Sequence, residues 1–288
     1  MEFNVYTHVD IPPSLRDPAI DCALILTLKN SERTRLAIQN ARAFSGLVSQ
    51  LVVQTNPGYK NVRKPLPVQT AEADCAFSHY AACKYSLEQG FATVLVLEDD
   101  FIVEPEYAEY KHAVNRDIEQ FMENSQIHHY FLGCLPFLVI PSEEAACGGS
   151  WRVIKGATSH AVIHSRAGMQ KIVRGWESSP DDLLPVDWYM FSNRAFMHTK
   201  PLVSQLFPET KNRIENWGST NTMLGIVSNY LIYTMELDEI TQPGYDIMYA
   251  TAKGVPLLVA LSVFCAIVVA KRQIHRFPRV ENDSTKTR

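Results

Sequence analysis

The sequence predicts an α/β protein: an open sheet flanked by helices, followed by a transmembrane helix near the C-terminus. Three observations predict it. They are a buried-strand run that ends in three acids, an alternation of strand and helix patterns around that run, and a long uncharged apolar stretch late in the chain. The run is Thr93-Val94-Leu95-Val96-Leu97, followed directly by Glu98-Asp99-Asp100. It reads as a strand buried on both faces, and the carboxyl edge of such strands is where open α/β sheets place ligands. Adjacent carboxylates repel by about 1 kcal/mol per pair even when well screened, and a cation removes that cost. Oxygen ligands alone favour Mg²⁺ or Mn²⁺. The same triplet also suits a solvated loop or a helix cap.

In chain order, residues 1–20 are polar and contain Pro12, Pro13 and Pro18, a lead-in or edge strand. Cys22 to Leu28 is a continuous apolar strand, after which Asn30 or Ser31 is placed to cap a helix ending near Gly46. Leu51 to Val53 is a short strand, and Pro57-Gly58, Pro65 and Pro67 mark a loop. From Ala71 to Gln89, Ala73, Ala76, Phe77, Tyr80, Cys83 and Leu87 recur at helical steps, with Gly90 at the C′ position. The acidic strand follows. A helix then starts at Pro105 and runs to about Asn124. His129 to Leu135 is a strand, and Pro136, Pro141 and Gly148-Gly149 delimit a loop. Val153-Ile154 and Ala161 to Ile163 are short strands, and Ser165 caps a helix through Val173. Pro180 to Asp187 supplies Asp181, Asp182 and Asp187 on a proline-bounded loop before Trp188-Tyr189-Met190-Phe191. Phe207 to Ser219 is polar and reads as a flap.

Composition narrows the classes. The 288 residues are 46% hydrophobic, enough for a full core. A net charge of -4 and no basic stripe argue against nucleic acid as a partner. Six cysteines without a C-x-x-C pair read as core thiols rather than zinc ligands or a disulfide framework. Met1 to Val5 has neither a basic nor an apolar signal region, so no cleaved signal peptide is expected.

Gly254 to Ala270 is uncharged and bounded by Lys253 and Lys271-Arg272. At 1.5 Å per residue it reaches roughly 25 Å, slightly short of a hydrocarbon core of about 30 Å, so local thinning or snorkelling lysines complete the span. A buried C-terminal helix is the alternative. The basic tail, residues 271–288, favours a single-pass membrane protein. Topology and compartment stay open: the positive-inside rule places the tail in the cytoplasm, while the lack of a signal favours a tail anchor with a cytosolic domain. The resulting division is a lead-in over 1–20, one domain over 21–246, the span over 254–270 and the tail.

Three spaced motifs together resemble glycosyltransferase family 25, the lipopolysaccharide and procollagen galactosyltransferase-like enzymes. Asp74-Cys75-Ala76-Phe77-Ser78-His79 is similar to that family's Gly-Cys-x-x-Ser-His, with Asp74 in place of the glycine. Val94 to Asp100 matches its apolar strand and Glu-Asp-Asp. Ser159 to Met169 is similar to its segment ending in Ser-Arg-x-Gly-Ala, with Val162 where an aromatic is usual, and Leu26 to Arg33 is a weaker fourth match. The resemblance spans residues 22–190. It implies a GT-A-like, Rossmann-type mixed sheet, a UDP-sugar donor and Mn²⁺ (or Mg²⁺) held by Asp100 with Glu98 and Asp99 beside it. It places Arg33 and Ser31 near the nucleotide and Ser78 and His79 toward the donor pocket.

Transfer with inversion needs a carboxylate to take the acceptor's proton, for which Asp187 is the first choice, with Asp182 and Asp181 behind it. Each has a plainer role open to it: His79 in the core, Asp187 as a helix cap, Arg33 on a helix surface. The function expected is a membrane-anchored, metal-dependent hexosyltransferase using UDP-galactose or UDP-glucose, with a glycan, glycoprotein or glycolipid acceptor. An inactive, membrane-tethered scaffold of the same fold is the alternative. A metal-dependent phosphoesterase, with His160 and His164 as added ligands, is the third.

Overall fold

The computed structural model describes residues 4–12, 18–123, 127–142, 150–207, 213, 219, 221–239 and 243–274. The strands are β1 (Val5–Val9), β2 (Cys22–Leu28), β3 (Leu51–Asn56), β4 (Thr93–Glu98), β5 (Phe101–Val103), β6 (His129–Pro141), β7 (Ser150–Ser165), β8 (Ala195–His198) and β9 (Val203–Gln205). The helices are α1 (Thr34–Ala41), α2 (Ala71–Glu88), α3 (Pro105–Glu123), α4 (Arg166–Ser178), α5 (Val186–Phe191), α6 (Met223–Thr234) and α7 (Pro243–Ile274). Seven strands form a mixed sheet in the order β1-β3-β2-β4-β7-β6-β8, and β5 pairs with β9 apart from it. At its centre β2 runs parallel to both β3 and β4, while β7 joins β4 antiparallel.

The sheet is covered on both faces, which is why its central strands carry no alternation of apolar and polar residues. Leu24, Val52, Val94 and Val96 pack on one face with Phe77 of α2 and Met169, Ile172 and Trp176 of α4. Ala23, Ile25, Leu95 and Leu97 pack on the other with Ala37 and Ala41 of α1 and Tyr107 and Ile118 of α3. The period of two then fixes the acids. Glu98 continues the Val94–Val96 face toward α2, and Asp99 continues the Leu95–Leu97 face toward α1.

Local signals set most element ends. Thr70 caps α2 by accepting from the Ala73 N–H at 3.1 Å, and Gly90 ends it at φ +82°, where a side chain is strained. Ser165 caps α4 by accepting from Gly168 at 3.2 Å, as expected. At the start of α1 the Ser31 hydroxyl accepts from the Arg33 N–H at 3.3 Å while donating to Asp99 at 2.9 Å, Arg33 directly before the helix makes no side-chain cap bond, and Asn30 takes φ +64°. The loop expected after Leu135 does not begin at Pro136, since β6 continues to Pro141 against β7; its later part, 143–149 with Gly148-Gly149, lies outside the described residues. Register shifts absorb the prolines there, bending the ribbon rather than ending it.

Of the expected flap, 208–212 and 214–218 lie outside the described residues, as do 13–17 of the lead-in and 275–288 of the tail. α7 begins at Pro243, well ahead of the apolar run. Its first turns belong to the domain: Tyr245, Tyr249 and Ala252 are buried, the Tyr249 hydroxyl accepts from the Cys134 N–H at 3.3 Å, and the Tyr245 hydroxyl accepts from Gln205 at 3.0 Å. Beyond Pro256 the described apolar side chains are exposed, among them Leu258 at 66% and Phe264 at 63%.

Candidate active site

The carboxyl edge of β2 and β4 gathers three acids into three different environments. Asp99 is buried and saturated: the Thr27 hydroxyl donates to it at 2.7 Å, the Ser31 hydroxyl at 2.9 Å, and Arg33 Nη2 lies 2.8 Å from its other oxygen. Arg33 Nη1 reaches Asp100 at 3.2 Å, so one guanidinium bridges both aspartates. Gln205, on β9, donates to Asp100 at 3.2 Å. Burial first, and then the charge of Glu98, raise the Asp100 carboxyl to about 7 against the opposing pull of Arg33. A carboxylate so placed gains from any further cation.

Glu98 faces α2. It accepts from the Ser159 hydroxyl at 3.0 Å and lies 3.3 Å from His79 Nε2. Burial pushes its carboxyl up, but His79, by its hydrogen bond and then its charge, outweighs that together with smaller effects ending in the Ser159 hydroxyl, and the carboxyl is held below the usual range. Ser159 reaches Glu98 because β7 carries an irregularity there. Leu135 pairs with Ala157 and Gly133 with Ala161, so β7 spends two more residues than β6 over that interval, and Thr158 sits at φ +68°. The bulge re-aims Ser159 and frees the Thr158 N–H, which donates to Asp187 at 2.8 Å.

Asp187, in the first turn of α5, also accepts from the Trp188 N–H at 2.9 Å. Burial raises its carboxyl, and the nearby charge of Glu98 adds to the rise. Asp181 and Asp182 instead lie exposed on the 3-10 turn Pro180–Leu183, outside this cluster. Among the described ion pairs no Lys or Arg partners Glu98 or Asp187.

Arg33, Ser31, His79, Glu98, Asp99 and Asp100 thus come together, with Asp187 adjacent. Ser78 does not join them. Its hydroxyl donates to the Asp74 carbonyl at 2.9 Å and accepts from Asn56 at 2.6 Å, within a buried network. That network explains Asp74, which stands where the resembled family has glycine. Its carboxylate pairs with the buried Lys64 and accepts from Asn56 at 3.0 Å and from the Tyr59 N–H at 2.8 Å, tying the loop after β3 to α2. His160 and His164 are also placed elsewhere. His160 Nε2 donates to the Val203 carbonyl at 3.1 Å with Nδ1 on Thr158 at 3.1 Å, and His164 Nδ1 meets His129 Nδ1 at 2.9 Å. Burial lowers His160 to about 4 and His164 to about 3, so both are neutral.

Sequence reasoning missed Thr27, Gln205, Ser159 and Cys75 as site residues. Thr27 was legible from strand parity with Asp99. Gln205 lies on β9, a three-residue strand too short to carry a pattern.

No family model and no curated protein matches this chain. Among solved structures, a glycosyltransferase involved in glycosylating the major capsid of PBCV-1 is similar at 12% identity and TM-score 0.34, over 62% of this chain and 82% of that one. The protein A197 from STIV is similar at 11% identity and TM-score 0.34, over 65% and 86%. At that similarity neither decides the chemistry of this chain. The resemblance to family 25 rests on the motifs alone.

Proposed function

We propose that this chain is a membrane-tethered, metal-dependent glycosyltransferase that moves a hexose, galactose or glucose, from a UDP-sugar to a hydroxyl of a glycan, glycoprotein or glycolipid. The observation that carries the reading is the Arg33 fork across Asp99 and Asp100 at the carboxyl edge of parallel strands, with Asp100 short of positive charge. Mn²⁺ or Mg²⁺ on Asp100 would neutralise the diphosphate leaving group. The remaining work belongs to side chains. Arg33, 36% exposed, holds the acids in register and is placed to meet a phosphate oxygen. Asp187 is the base for the acceptor hydroxyl: its two oxygens are oriented by backbone N–H groups, and its raised affinity for a proton suits that role. A single displacement assisted by that base would invert the anomeric carbon. The exposed apolar turns of α7 support the tether.

The test is UDP release from a panel of UDP-sugars, with Mn²⁺ and then with EDTA. Metal-dependent release from one donor is expected. No release, together with no thermal shift on adding UDP and Mn²⁺ to a folded sample, overturns the reading.

A second reading, an inactive scaffold, is favoured by Asp99, whose donors Thr27, Ser31 and Arg33 already satisfy it without an ion. The phosphoesterase reading loses the ligands it requires, because His160 and His164 are committed to other partners.

A further inference from the structure

We infer that the α2 side of the acid cluster is a separate site for a borderline-soft divalent cation, Zn²⁺ by its donor set, held by Cys75, His79 and Glu98. The Cys75 thiol, a ring nitrogen of His79 and a carboxylate oxygen of Glu98 lie within 4.8 Å of one another. The spacing has a structural origin. Cys75 and His79 are one helical turn apart on α2, and the period of two along β4 turns Glu98 toward that helix.

The ring of His79 is fully buried, its Nε2 lies 3.3 Å from Glu98, and its Nδ1 has no hydrogen-bond partner among the described residues. The protein thus turns Nε2 toward the carboxylate while leaving the other nitrogen of a buried ring unpartnered, and an imidazole so incompletely satisfied suits a ligand position. Cys75 also differs from Cys22, Cys83 and Cys134, which are sealed in the core; it is half-buried, and the Glu98 side chain is 23% exposed, so an ion and a water have access. The carboxylates of Asp187 and Asp100 add negative potential at the thiol.

One sulfur, one imidazole nitrogen and one carboxylate oxygen make a three-ligand set with a fourth position open, which Zn²⁺ accepts in tetrahedral geometry. Sulfur disfavours Mg²⁺ and Mn²⁺, so this site and the Asp100 oxygens select different ions. On binding, the thiol proton passes to solvent. The proposal divides the acid triplet: Glu98 belongs with α2, and Asp100 with Arg33 and Gln205.

The test uses the full chain in detergent, stripped with chelator and shown by a cooperative melt to be folded, titrated with Co²⁺ alone. A saturable thiolate-to-cobalt charge-transfer band is expected, bleached by Zn²⁺ but not by excess Mg²⁺, lost in Cys75→Ser and retained in Asp100→Asn. Absence of the band in the folded wild-type chain overturns the site. So does a band that survives unchanged in Cys75→Ser, since another cysteine then carries it.

Discussion

At the residue scale, Asp100 concentrates the electrostatic cost of the site. Its carboxyl stands at about 7 against an ordinary 3.8, so folding disfavours its ionised form. The group therefore costs nothing below about pH 4, the cost grows as pH rises between the two values, and it is constant above about pH 7. Asp100→Asn should raise the melting temperature of the metal-free protein at pH 8 and leave it unchanged near pH 4, the difference corresponding to about 2–4 kcal/mol. Arg33 keeps Asp99 in that variant, so no new unpaired charge appears. Mn²⁺ should stabilise the wild type more at pH 8 than at pH 5, where binding must first displace a proton. Thermal melts across pH check both. Lys64 and Asp74 present the opposite case. Burial lowers the Lys64 ammonium despite its partner, so the pair fixes the loop rather than adding net stability. Lys64→Met leaves the buried Asp74 charge without its cation and should cost about 3–5 kcal/mol by chemical denaturation, while adding Asp74→Asn, which removes the charge and keeps an acceptor for the Tyr59 N–H, should restore most of it.

At the element scale, the site depends on how closely β9 crosses β6. A Cβ on Gly133 would lie 1.7 Å from the Val203 carbonyl oxygen and 2.6 Å from His160 Nε2, so the backbones could not stay where they are. Gly133→Ala should destabilise the fold by about 3 kcal/mol and shift Gln205 off Asp100, lowering turnover even at temperatures where the protein remains folded. The contrast between strands also shows what the chain made legible. β2 and β4 announced themselves because both faces are buried and their apolar runs are continuous, and parity alone then sent Glu98 and Asp99 to opposite faces. β6 and β7 did not, because Pro136 and Pro141 look like breaks when read locally, whereas the long antiparallel pairing tolerates them through register shifts. The β7 bulge that aims Ser159 and Thr158 is a tertiary feature with no local signal. The capping bond of Ser31 to the Arg33 N–H is legible from its position, but its second bond, to Asp99, is not, because that partner is remote in sequence. The pairing of Cys75 with Glu98 was hidden for the same reason.

At the scale of the whole molecule, α7 joins the domain to the apolar segment as one helix. Its turns around Tyr245, Tyr249 and Ala252 seal the sheet face beside β6, and Lys253 Nζ donates to the Thr199 carbonyl at 2.5 Å. The division at residue 246 read from sequence therefore falls inside a packed element. A chain ending at Lys253 should melt cooperatively and leave the membrane fraction, whereas one ending at Thr241 should lose the cooperative transition, because three buried side chains of the first core cluster go with it. α6 adds to the apolar exterior, with Met223 84%, Tyr230 67% and Tyr233 81% exposed, a surface consistent with a domain held against a lipid interface.

If the acids at the end of β4 serve a nucleotide-sugar transfer, UDP release measured for the wild type and Asp100→Asn side by side, with the same donor panel and Mn²⁺, must separate the two proteins. Mn²⁺-dependent release from one UDP-sugar is expected of the wild type and none above background of the variant, with both proteins folded. Equal release by the two proteins would contradict the metal assignment, and no release by either would contradict the transferase itself.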